Sequence, residues 1–171
     1  MGQGFGVSGG SIFYNMSGIV TTTEIKQVRF EARCLQVEGS GGGAQGQQGF
    51  AAGFTTGSVQ YDLSVTPTKV YTLGPAGTVA VAGTYDNSTA FHEFLFDFTP
   101  PTTFRIYRDG TLIHTGTSGF SVAANRIFFG DGTGGANAHI EIRALRFTQG
   151  VVTATEPATW GRVKSLPLST E

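Results

Sequence analysis

The sequence predicts an all-β fold, a two-sheet antiparallel β-sandwich of the jelly-roll type, and three observations carry that prediction. Glycine supplies 26 of 171 residues at irregular spacing, as in a chain that turns often. Four segments alternate apolar and polar residues with a period of two, which gives a strand one dry face and one wet face. No window of eleven residues keeps a 3.6-residue apolar period, so no substantial helix is expected. Composition removes the competing classes. Hydrophobic residues reach 39% with 14 phenylalanines, too many for a disordered chain. The glycines lack the three-residue repeat of collagen, and three lysines and seven glutamates are too few for a helical bundle. The length suits one domain, placed at 11–150 between a glycine-rich arm, 1–10, and a tail, 151–171.

In chain order, strands are expected at 11–15, 24–38, 49–55, 58–65, 68–73, 78–83, 90–98, 103–108, 111–116, 125–129 and 138–148. Each is a short β-rich run bounded by Gly, Pro, Asp or Asn. In the second, Val28, Phe30, Ala32 and Cys34 alternate with Arg29, Glu31 and Arg33. Between the second and third, 39–49 is a glycine- and glutamine-rich loop. In the seventh, Phe94, Phe96 and Phe98 alternate with Glu93, Leu95 and Asp97, and Pro100-Pro101 then closes the strand. In the eighth, Phe104 and Ile106 alternate with Arg105 and Tyr107. Asp109-Gly110 follows, a pair that accepts the positive φ angles of a type I′ hairpin. In the last, Ile140, Ile142 and Ala144 alternate with His139, Glu141 and Arg143. Consecutive apolar residues at Cys34-Leu35 and Ala144-Leu145 break the alternation and predict bulges.

Three stretches carry a resemblance: Phe104-Arg105-Ile106-Tyr107-Arg108-Asp109-Gly110, then Asn125 to Thr133, then His139 to Phe147. Together they resemble the C-terminal half of concanavalin A-like lectin/glucanase domains, the laminin G-like jelly rolls, and Phe30-Glu31-Ala32-Arg33 resembles an early strand of that fold. Thr159-Trp160-Gly161-Arg162-Val163-Lys164 is similar to a segment that trails such domains in some bacterial surface proteins. The resemblance covers about residues 25 to 150. It implies two antiparallel sheets, one of them concave, and a family whose members include carbohydrate binders, adhesive or structural modules and enzymes.

If the four alternating strands lie on the concave sheet, its exposed side carries Arg29, Glu31, Arg33, Glu93, Asp97, Arg105, Tyr107, His139, Glu141 and Arg143. Four acids and four arginines could form cross-strand ion-pair ladders. They could equally form a groove in which charged forks bind sugar hydroxyls and Tyr107 offers a stacking face. Catalysis has less support. The family's glucanases are similar in a Glu-x-Asp-x-(x)-Glu strand, and retention needs carboxyls about 5–5.5 Å apart. Glu93 and Asp97 would lie ~13 Å apart along a strand. Arg29-Phe30-Glu31-Ala32-Arg33 is similar to the Arg-x-Glu-x-Arg strand of jelly-roll polysaccharide lyases, with Tyr107 or His139 available as base or acid. The lyases' Gln-x-His and Tyr-Phe-Lys-Ala-Gly-x-Tyr motifs are missing.

The expected function is therefore a non-catalytic surface recognition module for carbohydrate. Eleven basic and twelve acidic residues give a net charge of −1, without the basic surplus of a nucleic-acid binder. No eighteen-residue apolar run predicts membrane insertion, and the start lacks the basic and apolar regions of a signal peptide. An extracellular, cell-surface or virion location is expected from the family. Cys34, the lone cysteine, reads as a small buried hydrophobe. His92, His114 and His139 fall on separate elements without zinc spacing. No cofactor is expected beyond a structural calcium ion, for which the 130–137 loop offers Asp131 and Asn137, residues that also make turns unaided. Ordered arms at 1–10 and 151–171 would be explained by packing on neighbouring subunits. A self-assembling structural subunit of a virion or extracellular filament is accordingly the alternative, and a polysaccharide lyase or glycoside hydrolase the second.

Overall fold

Alternating side chains need two dry faces to meet, and the chain supplies them as two antiparallel sheets. This is a computed structural model that describes residues 12–15, 25–39, 50–56, 59–98, 103–117, 119–121, 127–131 and 136–149. Among them are twelve strands and no helix: β1 (Ile12–Asn15), β2 (Ile25–Gly39), β3 (Phe50–Thr56), β4 (Val59–Val65), β5 (Val70–Gly74), β6 (Gly77–Ala80), β7 (His92–Asp97), β8 (Phe104–Arg108), β9 (Thr111–Gly116), β10 (Phe120–Ser121), β11 (Ile127–Asp131) and β12 (Ala136–Gln149). The seven-stranded sheet runs β1-β11-β3-β4-β5-β6 with β10 against β4, and the five-stranded sheet runs β12-β2-β7-β8-β9. The all-β sandwich expected from the sequence is present. The arm at 1–10, the loop at 40–49 and the tail at 151–171 lie outside the described residues.

The dry faces meet in a phenylalanine core. Phe30 stacks on Phe94 at 5.1 Å and meets Phe50 edge-on at 5.3 Å. Phe96 stacks on Phe104 at 4.8 Å and meets Phe54 edge-on at 6.2 Å. Such offset and edge-on contacts match the ring quadrupole, and each fully buried ring contributes ~1.5–3 kcal/mol by leaving water. Cys34 is fully buried among them, and desolvation pushes its thiol up to about 12, so it packs as a hydrophobe.

Two register shifts between β2 and β12 fall near the breaks in alternation. Between His139 and Ile140 the partner on β2 jumps from Gln36 to Cys34, leaving Leu35 as the extra residue. A second shift, between Ile142 and Ala144, leaves Arg143 extra, close to the expected Ala144-Leu145 break. The Asp109-Gly110 turn takes φ values of 49° and 76°, as a type I′ hairpin requires. Two elements depart from expectation. β6 ends at Ala80, short of the expected 83, where the chain bends at Ala82 and Gly83, the latter with φ 108°. β10, two residues long, is too short to show alternation.

Asn87 ties the two sheets together between β6 and β7. Its amide donates to the Pro67 carbonyl at 2.8 Å, while its carbonyl accepts from the Cys34 amide on β2 at 2.7 Å. Its side-chain Nδ2 donates to the Thr66 carbonyl at 2.9 Å and the Lys69 carbonyl at 3.3 Å. Its Oδ1 accepts from Arg108 Nε on β8 at 3.0 Å. Asp86 folds the next residues by accepting from Ser88 and Thr89, bonds that hold its carboxyl well below the usual range.

Candidate functional site

The four alternating strands are β2, β7, β8 and β12, all neighbours in the five-stranded sheet. Since Val28, Phe30, Ala32, Phe94, Phe96, Phe104, Ile106 and Ile140 enter the core, the pleat turns all ten expected site residues to the outward face. That face has two halves.

Over β12, β2 and the start of β7 it is a ladder of ion pairs. Arg29 Nη1 lies 3.2 Å from Glu93 Oε2, Arg33 Nε lies 2.8 Å from Glu141 Oε2, and Arg143 Nη1 lies 3.2 Å from Glu31 Oε1. The Arg33 bond holds Glu141 below the usual carboxylate range and raises Arg33 in turn. Phe91, just before β7, packs beneath the ladder's end, with the Arg143 guanidinium 3.7 Å and that of Arg33 5.1 Å from its ring centre. The bulge at Arg143 brings this side chain to the acid and the ring at once. The three arginines and three glutamates here are occupied with one another.

Over β7, β8 and β9 the face is different. Register aligns Gln27, Asp97, Arg105 and Thr115 in one cross-strand row, and Leu95, Tyr107 and Leu112 in the next. Gln27 Nε2 donates to Asp97 Oδ1 at 3.3 Å, and Asp97 is only 8% exposed. Arg105 is exposed and forms no ion pair among the described residues. Tyr107 is half-buried and Leu112 is 50% exposed. A hydrogen-bonding row thus runs beside an apolar strip, an arrangement that can hold the polar edge and the apolar face of one ligand together.

The acids do not form the expected glucanase strand. Glu93 and Asp97 stand at opposite ends of β7, and it is Glu31 that faces Glu93 directly across the β2–β7 pair. Two like charges placed so are unfavourable, and each is offset by its own arginine. His92 is held at the hairpin, its Nδ1 2.7 Å from Asp109 Oδ2. His114 packs near Phe104, with rings 5.9 Å apart, and burial lowers its pKa. His139 stays on β12. Among the described residues no three His, Cys, Asp or Glu side chains gather as a metal site. Asp131 ends β11 and Asn137 lies in β12; the 132–135 loop between them lies outside the described residues.

Sequence reasoning missed a second polar row. On β4, Gln60, Asp62 and Ser64 alternate with Tyr61, Leu63 and Val65 and point away from the core, with Thr55 opposite Gln60 on β3. All four are buried, Gln60 Nε2 donates to Asp62 Oδ2 at 3.2 Å, and Gln60 Oε1 has no hydrogen-bond partner among the described residues. The period-two pattern of 60–65 was the available signal.

No family model matches the sequence, and no curated protein matches it. Among solved structures, the chain is similar to a β-glucanase of Bacillus licheniformis, at 20% identity over 76% of this chain and 69% of that one, with a TM-score of 0.52. It is also similar to a sialidase, at 14% identity over 80% of this chain and 14% of that one, with a TM-score of 0.51. These likenesses concern the fold, which is the concanavalin A-like jelly roll suggested by the sequence.

Proposed function

We propose that this domain is a non-catalytic recognition module for carbohydrate whose contact surface is the outward face of β7, β8 and β9. The observation that carries the reading is the pairing of two rows, Gln27–Asp97–Arg105 beside Leu95–Tyr107–Leu112. A sugar ring has an apolar face and a rim of hydroxyls; the Tyr107 strip suits the first, and the exposed Arg105 guanidinium at the end of the Gln27–Asp97 row suits the second. Carbohydrate as the ligand class is further supported by the two structures of similar fold, named as a β-glucanase and a sialidase. The non-catalytic part rests on the acids. Hydrolysis of a glycosidic bond ordinarily uses two carboxyls flanking it; of the two acids that β7 turns outward, Asp97 is nearly enclosed and Glu93, at the other end of the strand, is paired with Arg29.

The test is a glycan array followed by calorimetric titration of the intact chain and of Tyr107→Ala. The proposal expects millimolar or tighter binding to at least one saccharide, weakened at least tenfold by Tyr107→Ala, with no bond cleavage on prolonged incubation. No binding at millimolar saccharide, or binding unchanged in Tyr107→Ala, overturns it.

A further inference from the structure

Resting on that reading, we infer that the saccharide carries a carboxylate, as a uronic acid does, and that Arg105 is the group that holds it. The basis is which arginines are already engaged. Arg29, Arg33 and Arg143 each pair with a glutamate at 2.8–3.2 Å. Arg108 donates to Asn87 Oδ1, to the Asp86 carbonyl and to Asp109. Arg105 shares their sheet, yet it is exposed and has no carboxylate bound to it among the described residues.

Its cross-strand partner could have supplied one. Asp97 lies directly opposite Arg105, but it is 8% exposed and takes a hydrogen bond from Gln27 on the other side. The charge this pair presents to solvent is therefore the arginine's. A guanidinium is a planar fork of donors that matches a carboxylate in bidentate fashion, whereas a neutral hydroxyl uses only part of it. Arg105 and Tyr107 are two residues apart on β8, ~7 Å along the strand. That separation lets one sugar ring rest on Tyr107 while its exocyclic carboxylate reaches Arg105.

Calorimetric titration of the intact chain with an oligogalacturonate and with a neutral galactan oligomer of equal length tests this. The uronate is expected to bind about tenfold more tightly, a difference of roughly 1.4 kcal/mol, and the preference is expected to shrink as salt rises. Arg105→Gln is expected to lower the uronate to the neutral oligomer's affinity, while Tyr107→Ala weakens both. Equal binding of the two oligomers to the unaltered chain, or a preference that survives Arg105→Gln, overturns the inference and leaves the recognition reading standing. If neither oligomer binds at millimolar concentration while another saccharide does, the inference fails alone; if no saccharide binds, both fail.

Discussion

Replacing Asn87 by alanine removes a tie that no sequence pattern announces. The residue is fully buried and its side chain makes three hydrogen bonds, two from Nδ2 to the Thr66 and Lys69 carbonyls of the β4–β5 turn and one from Arg108 Nε on β8. The first two join it to the seven-stranded sheet and the third to the five-stranded one. Neutral bonds of this kind contribute ~0.5–1.5 kcal/mol each and a bond from a charged donor ~1.5–3 kcal/mol. The weaker 3.3 Å bond and relaxation around the cavity reduce the sum, so Asn87→Ala should cost about 3 kcal/mol. With a urea slope of roughly 2 kcal/mol per molar, the unfolding midpoint should fall by about 1.5 M. A double-mutant cycle with Arg108→Ala should recover a coupling of about 1.5–3 kcal/mol for the Nε–Oδ1 bond. A loss below ~0.5 kcal/mol, the range of ordinary surface substitutions, would refute the claim that Asn87 joins the sheets.

Other consequences follow from the same geometry. Phe30→Ala empties a site between Phe94 and Phe50 and should cost ~3–5 kcal/mol, with Phe30→Leu well under half of that, both read by urea denaturation. At Gly116 an added Cβ would lie 2.1 Å from Phe104 Cζ. Gly116→Ala should therefore cost ~1–3 kcal/mol through overpacking, and Gly116→Ala with Phe104→Leu should recover part of it. Burial lowers the pKa of His114 from its ordinary 6.5. Stability linked to the neutral ring is thus full above pH 6.5 and lost as pH falls through the depressed folded value, so the urea midpoint should decline below pH 6.5 and His114→Phe should flatten that decline. Partial burial works against the Asp109 charge, but bonds from His92 and the Glu93 amide, with the charges of His92 and Arg108, hold its pKa below the usual range. A second loss, greatly weakened in Asp109→Asn, should begin as pH drops below that range.

The larger lines of the fold could be read from residues alone because they obey local rules. Val28 to Cys34, Phe94 to Phe98 and Ile140 to Ala144 alternate over several positions, and Asp109-Gly110 meets the backbone demand of a tight hairpin by itself. Leu35 announced its bulge by interrupting the period. What stayed hidden depends on register. Four acids and four arginines on one face were legible, but which glutamate each arginine takes is decided by the alignment of β2 with β7 and β12, and by a bulge that swings Arg143 onto Glu31. The same alignment leaves Asp97 enclosed by Gln27 and Arg105 exposed. Asn87 was hidden for another reason: it sits in an irregular segment, where no period marks a residue whose partners are 18 to 21 positions away. Gln60, Asp62 and Ser64 do alternate, but an alternating polar residue reads as solvent-facing and theirs are buried.

The central claim is that carbohydrate meets this domain on the outward face of β7, β8 and β9. It is tested most directly by titrating isotopically labelled protein with the saccharides that score highest on the glycan array while following amide chemical shifts. The account predicts shifts gathered on Leu95, Asp97, Arg105, Tyr107, Leu112 and Thr115. Shifts gathered instead on Thr55, Gln60, Asp62 and Ser64 of the other sheet, or none at millimolar saccharide, would contradict it.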